Sequence, residues 1–233
     1  MLSFLGFLQN SSMFVSGSNL SATLSTLSNR SVAILTFAGS VNQSNVTVQH
    51  TGVVATSAPS TYEGRDVRFA YFEQQTIHST VQIRHVSADV TVALSATAYS
   101  VPWVVYFAVP VTNASRISVE ESTLSIALTS GSQSLAQADC SLVSINALID
   151  SELEIRSSSL LVSARAGPAT APTAFAVTLS AMERSSISMV GCNVTVDAVA
   201  GVSAAAAAVL TFRGLGPERP SSSLQIAVRT QPE

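Results

Sequence analysis

Lysine is absent from this 233-residue chain, and its 11 basic residues are all arginine. Charge of either sign is scarce, at 11% of residues, where an ordinary soluble domain carries about 25%. With a net charge of −3 and no basic cluster, the chain lacks the electrostatic grip that nucleic-acid phosphates require. No apolar run reaches the length of a membrane span, about 18 residues; the longest run of small apolar residues, Ala204 to Leu210, is far shorter. The apolar opening from Met1 to Leu8 has no basic segment and no A-x-A-like cleavage site, so it reads as the remains of a strand and not as a signal peptide. Cysteine is nearly missing too. Cys140 and Cys192 are too few for a disulfide scaffold or a metal site, and two buried thiols are expected.

Hydroxyl residues are abundant: Ser and Thr number 59, about a quarter of the chain. Seven of the eight asparagines, Asn10, Asn19, Asn29, Asn42, Asn45, Asn113 and Asn193, lie in N-x-S/T sequons, where this composition gives about two by chance. These are glycosylation candidates, and their excess points to a secreted or cell-surface chain. Asparagine sitting in Ser/Thr-rich turns accounts for part of the excess.

A repeat of about 35 residues runs through the chain. Two apolar residues at i and i+2 are followed by four mostly polar residues and two more apolar residues at i and i+2. Examples are Val46-x-Val48, QHTG, Val53-x-Ala55 and Leu153-x-Ile155, RSSS, Leu160-x-Val162. Starts fall near 13, 46, 81, 117, 153, 187 and 224. The copy at Val81 reaches Val90-x-Val92 with two extra residues, and the last copy, Leu224-x-Ile226, is cut off. A third, more aromatic segment lies between copies, as in Val32 to Phe37, Val67 to Phe72 and Val104 to Val109. Alternating β-branched residues make all three segments strands. A single such coil cannot bury its inward side chains, so coils must stack, each strand pairing with its equivalents. The expected inward ladder is Val15, Val48, Ile83, Val119, Ile155, Met189 and Ile226. Outside it, Arg84, Glu120 and Arg156 form an alternating-charge ladder. Asn19, Gly52, Asp89 and Asn193, before the second strand, are the types that tolerate a left-handed turn. A β-propeller would need four strands in each repeat of about 40–45 residues. The expectation is one all-β domain over 1–233, a parallel β-helix of about six coils.

The segments SNVTVQHTGVVATS, SRISVEESTLSIALTS, SELEIRSSSLLVSA and SSISMVGCNVTVDA resemble the single-stranded right-handed parallel β-helix, or pectin-lyase-like, superfamily. More narrowly, their style is similar to the surface proteins of kinetoplastids, such as the dispersed gene family and related "membrane-associated" proteins. The resemblance covers about residues 10 to 230 and rests on style and period. It implies a long, glycosylated, membrane-anchored protein with an adhesive role and with host or environmental glycans or proteins as partners. This chain shows neither signal peptide nor anchor and stops inside a repeat, so an uncapped piece of a longer anchored protein is expected.

No catalytic constellation is readable. The N-T-D, G-H-G and R-I-K motifs of polygalacturonase-type β-helices are missing. Of the carboxylates that glycoside hydrolysis would need in pairs, the candidates are Glu120-Glu121, of which Glu120 belongs to the charge ladder, and Glu152 with Glu154, which should both face solvent. His50 and His85 should stack one coil apart, too few for a metal site, while His78 lies in a loop. No cofactor is implied. Trp103, Tyr106 and Phe107 cluster with Tyr71 and Phe72, some facing in as core and some out, where they could bind sugar. The expected function is a non-catalytic extracellular module, structural or adhesive. The alternative is a carbohydrate-active β-helix enzyme or a carbohydrate-binding module.

Overall fold

The computed structural model describes residues 2–24, 32–57, 67–94, 102–130, 139–167, 172–200, 205–212 and 223–228. Every regular element among these residues is a strand, and the strands stack in parallel as a β-solenoid of about five turns, roughly 35 residues apart. This is about one turn fewer than the repeat count suggests, because the copies starting at 13 and 224 lie at the ends and are stacked on one side only.

Each coil contributes a strand to three faces. Face A holds Leu2–Phe4, Val32–Phe37, Val67–Phe72, Trp103–Phe107, Asp139–Ile149, Thr173–Glu183 and Ala206–Phe212. Leu2–Phe4 of the opening apolar segment and the alanine run from Ala206 onward are thus strand. Face B holds Ser12–Ser16, Asn45–Gln49, Thr80–Arg84, Arg116–Glu120, Glu152–Arg156, the first part of Ser186–Val199, and Ser223–Val228. Face C holds Asn19–Leu24, Gly52–Ser57, Ser87–Leu94, Thr123–Ser130, Ser159–Arg165 and the rest of Ser186–Val199. A strip of two-residue strands, Leu8–Gln9, Val41–Asn42, Thr76–Ile77 and Val111–Thr112, bridges A to B and merges into Asp139–Ile149. Such pairs leave no periodicity to read in the sequence.

The register on face B is the expected one. Val15, Val48, Ile83, Val119, Ile155 and Met189 pair in order, and Ile226 stands on Met189. From Val48 to Met189 they are at most 2% exposed. Burying such a side chain stabilises the fold by about 1.5–3 kcal/mol before conformational entropy is set against it. On face A, Phe37, Phe72 and Phe107 stack inside at 4.5 and 4.3 Å.

Two expectations need correcting. The third coil has no insertion: Ala88 pairs with Val53 and Val90 with Ala55, so its second strand begins at Ser87. Alanine is small enough to sit in the ladder unnoticed as an apolar marker. The left-handed turn residues are not Asn19, Gly52, Asp89 and Asn193. They fall two residues before each second strand, at Gly17, His50, His85, Glu121, Ser157 and Gly191, with φ between 47° and 64°. The chain must reverse immediately on leaving face B, so the positive φ belongs to the first residue after that strand.

The same device turns the A-to-B corner. Asn10, Gln43, His78, Ala114, Asp150 and Arg184 have positive φ, and each is followed by a serine. These serines form a hydroxyl ladder. The Ser11, Ser44, Ser79, Ser115 and Ser151 amides donate to the Oγ of the serine one coil on, at 3.1–3.3 Å. Each Oγ in turn donates to a carbonyl two or three residues back in its own coil, as Ser79 does to Ile77 at 2.6 Å. A shorter ladder runs along the B-to-C corner, where the Val86 and Ser122 amides donate to Ser122 and Ser158. Cys192 takes the next place, its Sγ donating to the Ile155 carbonyl at 3.4 Å. A buried amide left without a partner costs about 1–3 kcal/mol. Ser79→Ala should therefore destabilise the chain by about 1–3 kcal/mol in urea unfolding, whereas Ser125→Ala on the outer surface should cost under about 0.5 kcal/mol.

Gly39 sits where two coils touch: a Cβ there would lie 2.1 Å from the Gly6 carbonyl oxygen. At Gly52 a Cβ would meet only the Asn19 side chain, at 2.7 Å, which can swing away. Gly39→Ala should lower stability by about 1–3 kcal/mol through overpacking, and Gly52→Ala by distinctly less, as measured by thermal unfolding.

Candidate functional site

The most distinctive outer feature lies on face A. Val67–Phe72 and Trp103–Phe107 share a burial pattern in which two consecutive residues, Phe69-Ala70 and Val104-Val105, are both buried. The strand bends there, so outward residues are three apart and not two. This places Arg68 beside Trp103 and Tyr71 beside Tyr106. The aromatic cluster therefore divides: Phe72 and Phe107 are core, while Tyr71, Trp103 and Tyr106 face out and are half-buried. Trp103 stacks on Tyr106 at 4.2 Å, and Tyr106 on Tyr71 at 5.6 Å. The Arg68 guanidinium lies 4.4 Å from the Tyr71 ring centre, 4.9 Å from Trp103 and 5.3 Å from Tyr106. Such cation–π contacts contribute about 0.5–1 kcal/mol at exposed sites. Much of the ring-face area is thus spent within the chain.

On face B the charge ladder forms only in part. Arg84 meets Glu120 at 3.1 Å, but Arg156 turns to Glu154. Glu154 is not the solvated residue its alternation suggests: its side chain is 8% exposed, clamped by Arg116 and Arg156. Burial pushes its carboxyl up, and the hydrogen bonds and charges of the two arginines more than offset this, leaving it below the usual carboxylate range. Glu152, 57% exposed, reaches Arg116 at 3.7 Å. A groove at the A-to-B corner is lined by Arg116, Asp150, Glu152 and Arg184, and Asp150 and Arg184 join there in a two-bonded pair at 2.6 and 2.7 Å. The Asp150 carboxyl is lowered by that hydrogen bond.

His50 and His85 stack as expected, at 4.8 Å, and His85 Nδ1 lies 3.1 Å from Glu121. His78 stands on the A-to-B corner with its amide on the Thr112 carbonyl at 3.4 Å. Among the described residues no group of three or more His, Cys, Asp or Glu could hold a metal. Cys140 and Cys192 are free and buried, Cys140 on face A and Cys192 at the B-to-C corner. Burial, then the Asp139 charge, pushes the Cys140 thiol up to about 12, so it is no nucleophile at neutral pH.

Asn10, Asn19, Asn45, Asn113 and Asn193 are exposed and Asn42 is half-buried; Asn29 lies outside the described residues. All six stand at or beside the two corners. For Asn42 and Asn113 the sequon hydroxyls are Ser44 and Ser115, members of the corner ladder. In these two the fold itself demands the serine, so the sequon is not independent evidence of glycosylation.

No protein-family model matches the chain, no curated protein matches it, and no solved structure matches it.

Acid should expose the Glu154 clamp. Because its folded pKa is depressed, its contribution is present above the ordinary glutamate value of about 4.3 and is lost as pH falls through the folded value. Glu154→Gln should lower the thermal midpoint at pH 7 and flatten its decline on acidification below about pH 4.3. An unchanged acid slope would show that the clamp contributes nothing.

Proposed function

We propose that this chain is a non-catalytic β-solenoid module of a secreted or cell-surface protein, structural or adhesive in role. The observation that carries the reading is the engagement of the outer charges. Glu154 pairs with Arg116 one coil away and with Arg156 on its own strand, and Asp150 with Arg184, Glu120 with Arg84 and Glu121 with His85 pair along the stack. A hydrolase needs one carboxyl held protonated and another free, at a set separation across a substrate groove. Here Glu154 and Asp150 are both pulled down by arginine, the direction opposite to that of a general acid. Exposed corner sequons support passage through a secretory pathway, with Asn10, Asn19, Asn45 and Asn193 carrying more weight than the two fixed by the serine ladder. On this reading the chain is a glycoprotein of pectin-lyase-like architecture, similar in style to kinetoplastid surface proteins, attached through segments beyond this sequence.

A second reading, glycan recognition, is favoured by the Trp103, Tyr106 and Tyr71 column. Stacked rings offer sugars mainly their edges and the outermost faces, so the contact would centre on Trp103.

Secretion from a eukaryotic host should yield a protein whose mass drops on enzymatic removal of N-glycans, and incubation with polygalacturonate should release no reducing ends. Sugar release that Glu154→Gln abolishes would make the chain an enzyme. On a glycan array, binding lost in Trp103→Ala with folding intact would select the second reading, and binding unchanged would assign the column to packing.

A further inference from the structure

Two of the chain's four tyrosines stand in one ladder. Tyr71 and Tyr106 are register partners on the outer side of face A, one coil apart. Strand pairing sets their backbones about 4.8 Å apart. Their ring centres lie 5.6 Å apart with planes 12° from parallel, within the range of offset-stacked aromatic pairs. Neighbours brace them: Trp103 stacks on Tyr106 at 4.2 Å, and the Arg68 guanidinium lies 4.4 Å from the Tyr71 centre. Both tyrosines are half-buried, so part of each ring is open to a soluble oxidant. The Phe37, Phe72 and Phe107 stack has similar spacing, but it carries no phenol and lies in the core.

We propose that Tyr71 and Tyr106 form a modification site, an intrachain dityrosine made by hydrogen peroxide and a peroxidase, which ties two successive coils together. Each phenol gives up one electron and its hydroxyl proton, leaving a neutral radical with spin on the ring carbons ortho to oxygen. One ortho carbon of each ring joins the other in a new carbon–carbon bond. The hydrogen displaced from each of these carbons moves to the phenol oxygen as the ring regains aromaticity. Two electrons and two protons leave in all, and they reduce one hydrogen peroxide to two waters. The rings turn from stacked to edge-to-edge as they join, which their exposed sides permit. Held as ladder neighbours, the two radicals meet far faster than radicals on separate dilute chains. The reaction needs no bound glycan, so it stands or falls separately from both readings of function.

Dilute chain treated with hydrogen peroxide and a haem peroxidase should gain dityrosine fluorescence, remain monomeric on a denaturing gel and lose the mass of two hydrogens. Its thermal midpoint should rise, because a link across 35 residues restricts the unfolded chain. Tryptic cleavage after Arg68, Arg84 and Arg116 should then release peptides 69–84 and 85–116 as one joined species. Tyr71→Phe and Tyr106→Phe keep both rings, and each should lose that species. Tyr62 and Tyr99 lie outside the described residues, and the Tyr62→Phe, Tyr99→Phe double variant should keep it. A chain that forms no internal link, or only links between copies, overturns the proposal. So does a joined species that survives in Tyr106→Phe, which would make Tyr99 the partner, and so does a link confined to peptide 85–116. Should a variant fail to fold, fragment masses of the joined wild-type peptides still assign the two linked residues.

Discussion

A backbone amide that turns a corner inside a protein must find an acceptor, and in this chain it finds the serine one coil away. That contact is the constraint on which the rest depends. Each face can pair its strands without help; at the corner the left-handed residues Asn10, Gln43, His78, Ala114 and Asp150 still donate to a carbonyl one coil on, but the amide of the next residue has no carbonyl to meet. The serine at that place restores the pairing twice, accepting from the neighbouring coil and donating within its own. Buried polar groups of this kind strongly disfavour slippage, since a shift of one residue would take the serine-ladder amides off their hydroxyl partners. The apolar ladders then stay aligned, and Phe37, Phe72 and Phe107 can stack at strand spacing.

Much of this arrangement was legible in the sequence, because a solenoid writes its register as a period. The ladder from Val15 to Ile226 could be read residue by residue, since volume and polarity are constrained at every copy. The corners were less legible. Serine is so common here that a ladder of buried serines looks like background, and the positive φ falls on His, Glu, Asp, Asn and Arg as readily as on Gly17 and Gly191. Face A was less legible for another reason. Strict alternation predicts that outward residues are two apart, but the bend at Phe69-Ala70 and Val104-Val105 makes them three apart, and only that bend gathers Arg68, Tyr71, Trp103 and Tyr106. Glu154 was misjudged for a related reason: it does point outward, yet Arg116 and Arg156 lie across it, and no pattern along a single strand reveals a cover supplied by neighbouring ones.

The outer surface is largely satisfied from within. Acids meet arginines one coil away or along the same strand, the two histidines meet each other, and the aromatic rings close on Arg68. Exposed pairs of this sort contribute only about 0.2–1 kcal/mol each, so their weight lies in register and in keeping like charges from stacking. On the proposed reading such a surface serves a spacer or presenting scaffold, whereas a catalyst needs groups held out of balance. The sequons follow the same logic. Of the described sequon asparagines at the corners, Asn10 and Asn113 take the left-handed conformation, Ser44 and Ser115 of the corner ladder complete the sequons of Asn42 and Asn113, and the secretory reading rests on those that the serine ladder does not explain.

The central claim is that successive copies stack in register at a constant spacing. Spin labels on the outer row of face C test it most directly, because Thr23, Ala127, Ser163 and Asp197 occupy one ladder. Pulsed electron paramagnetic resonance between Thr23 and each of the other three should give distances rising in equal steps of about 4.8 Å, from roughly 14 to 24 Å. Distances that are unordered along the series, or a step far from one strand spacing, would contradict the stacked register and with it the account of the fold.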